Sequence, residues 1–399
     1  MSAAQAAWRF YSNDQVRLPR LAAPLVECAG ADVPKACREF VPVILDWCSL
    51  HFGGHASKRD RVTLNHPNDI GYELLDVLAI SDRDGSPIAP LCFELRAADG
   101  IHTTRAEEVI PASSVLDGVT PVLDHVASLN LGRPPVFIID READSVAHYR
   151  AWDAGGHRFV IRANDARLVL HDGEQKKLGD VATSLSFKRA GKVKYKGKSA
   201  SQFVAETQVT LHRPARSHRV DPATGKKKHR NVEGKPLALR LVVSEVRRNG
   251  KTLARWLLLT NLTEVEARRI AEWYYWRWRI ESYHKLFKSA GQQVESWQQE
   301  TAGALARRLV VAAMSAVVVW RLAREEGEEA ERLREVLVRL SGRLMRWGKR
   351  YTEPALMAGL GVLLPMLDLL ANFDLAELQQ LSRTVLPKPA KNKSPRASP

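Results

Sequence analysis

The stretch WYYWRWRIESYHKLFK (273–288) decides the reading of this chain, because aromatic and basic residues crowd around a single acid, Glu281. A packed core has no use for the charges, and a solvated helix has no use for the tryptophans. Placed on a helix at about 100° per residue, Tyr274, Arg277, Glu281 and Lys288 share an arc of about 60°, flanked by His284 and Lys285. Trp276, Ile280, Tyr283, Leu286, Phe287 and Ala290 fall on the opposite side, toward a core. In one reading Glu281 is a salt-bridge partner of Arg277 and Lys285 at i±4, each pair worth a few tenths of a kcal/mol, roughly. In the other, the cations follow a phosphate backbone and the carboxylate holds a metal at the scissile bond. The helix alone leaves both open.

Two further acids favour the second. Asp46 ends the apolar run VPVILDW (41–47), and Asp140 ends the run in PPVFIIDREAD (134–144). One such Asp would pass as a turn or cap residue. Two strand-end Asp residues in one sheet, with a Glu on a facing helix, make a three-carboxylate arrangement suited to phosphoryl transfer. When water or a 3′-hydroxyl attacks a phosphodiester, charge builds on the entering and leaving oxygens. Two hard cations about 4 Å apart stabilise both, and Mg²⁺ prefers carboxylate oxygens.

The surrounding pattern predicts an α/β fold. VPVILDW, GYELLDVLAIS and IAPLCFELRA read as a strand meander, and 113–129 has helical spacing. PPVFIID is a buried strand followed by a helix through about residue 155, and RFVIRAN (158–164) is a fifth strand. Such an order gives a sheet of mixed direction. Beyond residue 263 the chain reads helical.

Charge is distributed unevenly. The 399 residues carry a net +15. Between 188 and 251, eighteen Lys/Arg face four acids (Glu206, Asp221, Glu233, Glu245), a net of +14, so the rest is near neutral. This segment alternates as β-structure around a basic loop, 221–235, and its charge points to a polyanionic partner. A membrane is disfavoured: the longest apolar run, 309–320, is shorter than the roughly 20 residues a span needs, and predicts a buried helix. The N-terminus has no secretory pattern. Cys28, Cys37, Cys48 and Cys92 show no zinc-like spacing, so they read as reduced cytosolic thiols, and any metal is expected on oxygen ligands. The tail LPKPAKNKSPRASP reads as disordered.

Tyr274, Arg277, Glu281 and Lys288 fit Y-x2-R-x3-E-x6-K, and so resemble the YREK signature of bacterial cut-and-paste transposases of the insertion-sequence-four family. DREAD (140–144), LDWCSLHF around Asp46 and ARWLLLT (254–260) resemble further blocks of that family, in the same order. The resemblance covers about residues 6–290. It implies an α/β, ribonuclease-H-like mixed sheet with a β-rich insertion and a helical C-terminal region. The implied division is a lead-in segment (1–40), catalytic core (41–165), basic insertion (166–262), core helices (263–305), a helical region that could dimerise (306–385) and a tail (386–399). It makes Asp46, Asp140 and Glu281 the catalytic ligands of Mg²⁺, with Mn²⁺ able to substitute. Tyr274, Arg277, Lys288 and Arg162 become DNA contacts, with Lys285 beside them, and Trp256 the ring that stacks on a flipped base. Partners would be double-stranded DNA and a second copy of the chain, in a bacterial cytoplasm at the nucleoid. Family members carry a helical DNA-binding domain before the segment resembling AAWRFYSNDQV, which here begins at Ala6. Trp47 stands where a small hydroxyl residue is usual. The alternative expectation is an inactive relic that binds DNA non-specifically.

Overall fold

A computed structural model describes residues 3–220, 227–288 and 291–383. Ala290 and the tail 386–399 lie outside them. The chain divides into two compact units, Met1–Trp320 and Arg321–Pro399.

In the first unit, helices α1 (Ala3–Tyr11) and α2 (Leu18–Ala36) precede the strands β1 (Val41–His51), β2 (Val62–Thr63), β3 (Ile70–Ile80), β4 (Pro87–Ala97) and β5 (Gly100–Thr103). Then come α3 (Val119–Ser128), β6 (Pro135–Ile139), α4 (Val146–Ala154) and β7 (Arg158–Arg162). Their spatial order is β4-β3-β1-β6-β7, with β1, β3 and β4 antiparallel and β1, β6 and β7 parallel. This is a ribonuclease-H-like mixed sheet. The central strands are apolar on both faces because helices cover them: Val43, Ile44, Leu45, Phe137, Ile138 and Val160 have no exposed surface. Gly71 lets β3 pair closely with β1, since a Cβ there would run into the Leu50 carbonyl.

The basic segment extends this sheet. After β8 (Leu168–His171), β9 (Glu174–Lys177) and α5 (Leu178–Ser184) come β10 (Lys188–Tyr195), β11 (Lys198–Leu211), β12 (Ala215–Val220), β13 (Lys227–Val232), β14 (Leu237–Arg248) and β15 (Lys251–Thr260). β15 pairs antiparallel with β7, so the order continues β7-β15-β14-β11-β8-β9, with β10 on β11. The expected loop 221–235 is partly strand: β13 pairs with β12 from Lys227↔Val220 to Val232↔Ala215, and 221–226 lie outside the described residues.

The helix expected over 273–288 is two helices, α6 (Ala267–Trp276) and α7 (Trp278–Phe287), meeting at Arg277. The junction is overwound: the Arg277 N–H donates to the Tyr274 carbonyl and the Ile280 N–H to the Arg277 carbonyl, both i→i−3. The cause is packing. α6 rests on β11 and β14, where buried Gln202 donates to Ser244 Oγ and the Ala271 carbonyl, whereas α7 rests on β1. One helix thus passes from the basic extension to the ribonuclease-H-like sheet. α8 (Ala302–Arg324) contains the run 309–320, and most of it is buried, as its composition predicts.

In the second unit the helical reading is interrupted between Arg324 and Glu328, where Gly327 takes a φ of 111° that few other residues adopt. Arg334 of α9 (Glu328–Leu340) caps the end of the preceding helix by donating to the Leu322 and Glu325 carbonyls at 2.7 Å. α9 packs on α10 (Glu353–Asn372), and α11 (Leu375–Arg383) follows. α10 is apolar and long enough to cross a membrane, and exposes Leu364, Met366, Leu367, Leu369 and Leu370.

Candidate active site

The parallel pairing of β1 with β6 runs from Val41↔Pro135 to Leu45↔Ile139. The next residue on each strand is an aspartate, so Asp46 and Asp140 leave the pair together. Asp46 is not at a strand end as expected: β1 continues to His51 on β3 alone, because β6 stops and frees that edge. Asp140 does end its strand, and its Oδ1 accepts the Glu142 N–H at 2.8 Å, capping a single turn over Arg141–Ala143.

α7 brings in the third acid. Arg277 Nη1 donates to Asp46 Oδ2 at 2.9 Å and Nη2 lies 3.4 Å from Glu281 Oε1, so one guanidinium bridges two of the three carboxylates. Arg277 and Asp46 are largely buried, and Glu281 is about one-third exposed. Of the salt-bridge reading of the stripe, the i,i+4 pair of Glu281 with Arg277 exists, and it sits against a second acid from the sheet.

The charge balance is acidic. Burial pushes Asp46 up, Arg277 and His284 pull it down, Asp140 pushes it up again, and the net is upward. Burial raises Glu281 against the pull of Arg277, with Asp46 adding to the rise. Glu142 is raised by burial, then by Asp140, Asp46 and Glu73. The sequence reading passed over Glu142, although it lies inside DREAD. Burial is the leading cause in all three, and neighbouring acids add to it, so ionised carboxylates are held there at a cost. Their donors are hard carboxylate oxygens, so the residues present fit a divalent cation of the Mg²⁺ type.

The remaining expected residues fall into three settings. Tyr274 is buried against Trp256, ring centroids 5.9 Å apart; burial raises its hydroxyl, Arg277 and Arg162 oppose, and Asp140 adds. Trp256, 6% exposed, also meets Tyr275 at 6.5 Å. Lys288 donates to the Ser49 carbonyl of β1 and lies 3.6 Å from Glu295. Lys285 is exposed on a cleft of about 800 Å³. Glu281, Tyr275, half-exposed Trp276 and exposed Trp278 line the same cleft, and so do Lys192, Lys194 and Lys196 at the end of β10. Trp276 thus faces this cleft instead of a core. Those three lysines were visible only as part of a charge excess; the hairpin of β10 and β11 aims them.

His284, expected beside the polar stripe, is buried. Its Nε2 lies 2.8 Å from Oδ2 of Asp76, the residue opposite Asp46 in the β1–β3 register. Asp76 was missed too, though an acid within the apolar run GYELLDVLAI is an available signal.

Residues 113–318, just over half of the chain, match the family described as "Transposase DDE domain". The match includes Asp140, Arg277, Glu281 and Lys288, and starts after Asp46. A piggyBac transposase, solved by cryo-electron microscopy in a synaptic complex with hairpin DNA, is similar over 90% of this chain and 60% of that one. The identity is 10% and the TM-score 0.41. This chain thus spans less than two thirds of that transposase. The family match, over just more than half of its length, places this chain in the transposase DDE domain family.

Proposed function

We propose that the chain is a metal-dependent cut-and-paste DNA transposase of the insertion-sequence-four type, with Tyr274, Arg277, Glu281 and Lys288 as its YREK residues. The observation that carries this reading is the convergence just described: β1 and β6 release Asp46 and Asp140 side by side, and Arg277 ties Asp46 to Glu281. Asp46, Asp140 and Glu281 would hold Mg²⁺, or Mn²⁺ in its place. Bound there, such ions would stabilise charge on the entering and leaving oxygens of a phosphodiester.

In this reading the chain's own side chains position and orient. Arg277 fixes the two carboxylates it bridges, and with Tyr274, Arg162, Lys285 and Lys288 contacts phosphates near the transposon end. Water nicks one strand; the freed 3′-hydroxyl attacks the opposite strand to close a hairpin and, after reopening, attacks target DNA. No covalent enzyme intermediate is required. Trp256 would stack on the base flipped out at the hairpin, which requires its ring to be uncovered from Tyr274 and Tyr275. The lysines of the cleft suit a DNA backbone, and the exposed apolar side chains of α10 suit a contact between two copies. On this reading the basic insertion would span about residues 166–262 within the core.

The test is cleavage of a duplex carrying the terminal repeat that flanks the gene, with Mg²⁺ or Mn²⁺. Asp140→Ala abolishes cleavage and leaves DNA binding intact. Equal cleavage by both proteins overturns the assignment, and salt-sensitive binding without cleavage by either favours the relic.

A further inference from the structure

Cys48 of β1, Asp76 of β3 and His284 of α7 bring their ligand atoms within 4.8 Å of one another. Cys48 lies two residues beyond Asp46 and Asp76 lies opposite Asp46, so all three line the sheet face on which α7 rests. Asp76 has no exposed surface, and neither of its oxygens has a hydrogen-bond donor among the described residues. His284 Nε2 approaches Oδ2 at 2.8 Å but off the hydrogen-bonding direction, so it too has no hydrogen-bond partner. The imidazole at ion-pair distance is thus the one charge partner of this carboxylate among the described residues, and a buried carboxylate whose oxygens lack well-directed donors leaves room for a further one.

We propose that Cys48, Asp76 and His284 form a site for a borderline-soft divalent cation of the Zn²⁺ type, separate from the carboxylate centre. The donors are sulfur, imidazole nitrogen and carboxylate oxygen, a combination that suits Zn²⁺ and does not suit Mg²⁺. A thiolate and a carboxylate balance the dication, with the imidazole neutral, so the buried site carries no net charge. Donors around a tetrahedral zinc stand about 3.5 Å apart, so the pairs that lie up to 4.8 Å apart would close by about 1.3 Å, while His284 Nε2 and Asp76 Oδ2, now 2.8 Å apart, would open by about 0.7 Å. Half-buried Cys48 marks the entry side. The ligands come from both strands of the β1–β3 pair and from the helix above it. The ion would therefore clamp α7, which carries Glu281 one turn before His284, to the strand that carries Asp46. Spacing along the chain gives no sign of this site, because its donors lie in distant segments.

The experiment uses the full chain stripped with chelator, held in excess Mg²⁺ and titrated with Co²⁺ alone. One equivalent of Co²⁺ produces thiolate-to-cobalt absorption that Zn²⁺ removes and further Mg²⁺ does not. Cys48→Ser loses that absorption. His284→Asn weakens Co²⁺ binding by about tenfold or more, and Asp140→Ala leaves the titration unchanged. If the wild-type chain shows no thiolate band, Asp76 and His284 are a metal-free ion pair and the proposal fails, whether or not Cys48→Ser folds. It also fails if the band survives Cys48→Ser or disappears in Asp140→Ala.

Discussion

Arg277 and the lysines of β10 are cations facing one neighbourhood, yet the fold treats them differently. Arg277 is buried, forked between Asp46 and Glu281, and set by a helix junction that two packing surfaces impose. Lys192, Lys194 and Lys196 are exposed beside a cleft. Two acids of the extension, Glu206 and Glu245, are already taken by Arg240 and by Arg247 and Arg255. A charge that the fold fixes shapes its neighbours; charges left in solvent act together on a partner. The first kind is costly to remove and insensitive to salt, and the second is cheap to remove and salt-sensitive.

Removing the fixed charge should have the largest effect. Arg277→Ala leaves two crowded carboxylates without their cation, and should lower stability by about 3 kcal/mol in denaturant titrations near neutral pH. It should slow terminal-repeat cleavage by about 100-fold or more. Because Asp46 sits above its ordinary range, acidification protonates it in the folded variant and recovers part of the lost stability. Arg277→Lys should recover less than half, since a single ammonium cannot span both acids. An Arg277→Ala chain as stable as wild type would break the comparison.

Removing the solvated charges should act on binding alone. The triple variant Lys192→Ser, Lys194→Ser, Lys196→Asn should reduce the slope of log affinity for duplex DNA against log salt by about 3. Its unfolding free energy should stay within about 0.5 kcal/mol of wild type. Asn suits residue 196, whose φ is 47°. An unchanged salt slope would show that these lysines do not meet phosphate.

The smallest effect belongs to a buried cation that forms no salt bridge among the described residues, although Asp60 acts on it from nearby. Lys58 has no exposed surface, donates to the Gln299 carbonyl and lies 4.7 Å from the Phe52 ring centroid. Burial is the main cause that lowers its pKa to about 8, against an ordinary 10.5. The cost of charging Lys58 is therefore fully present below pH 8 and is relieved as pH rises from about 8 toward 10.5. Lys58→Met should remove that rise and add on the order of 1 kcal/mol at neutral pH. A pH–stability curve identical to wild type would contradict it.

The ribonuclease-H-like sheet was legible because its central strands are continuous apolar runs, and Asp46 and Asp140 stood out as acids interrupting such runs. What the sequence did not disclose depends on which surfaces meet. A fixed angular step cannot anticipate the overwound turn at Arg277, because two different sheet regions pull on α6 and α7. The same limit misplaced His284: periodicity set it beside the stripe, while the β1–β3 register put Asp76 beneath it. The extent of β1 was hidden because it depends on β6 stopping. Charge counting located the basic segment without giving its direction, which comes from the β10–β11 hairpin.

The pairing of β15 with β7 also governs reach. Three backbone register pairs, Leu258↔Arg162, Leu259↔Ile161 and Thr260↔Val160, join the basic extension to the strand next to the one bearing Asp140. Hinged appendages search; a rib grown from the same frame measures. Any polymer gripped along that rib would be presented at one fixed offset, so the place of the cut would follow from the span of the scaffold.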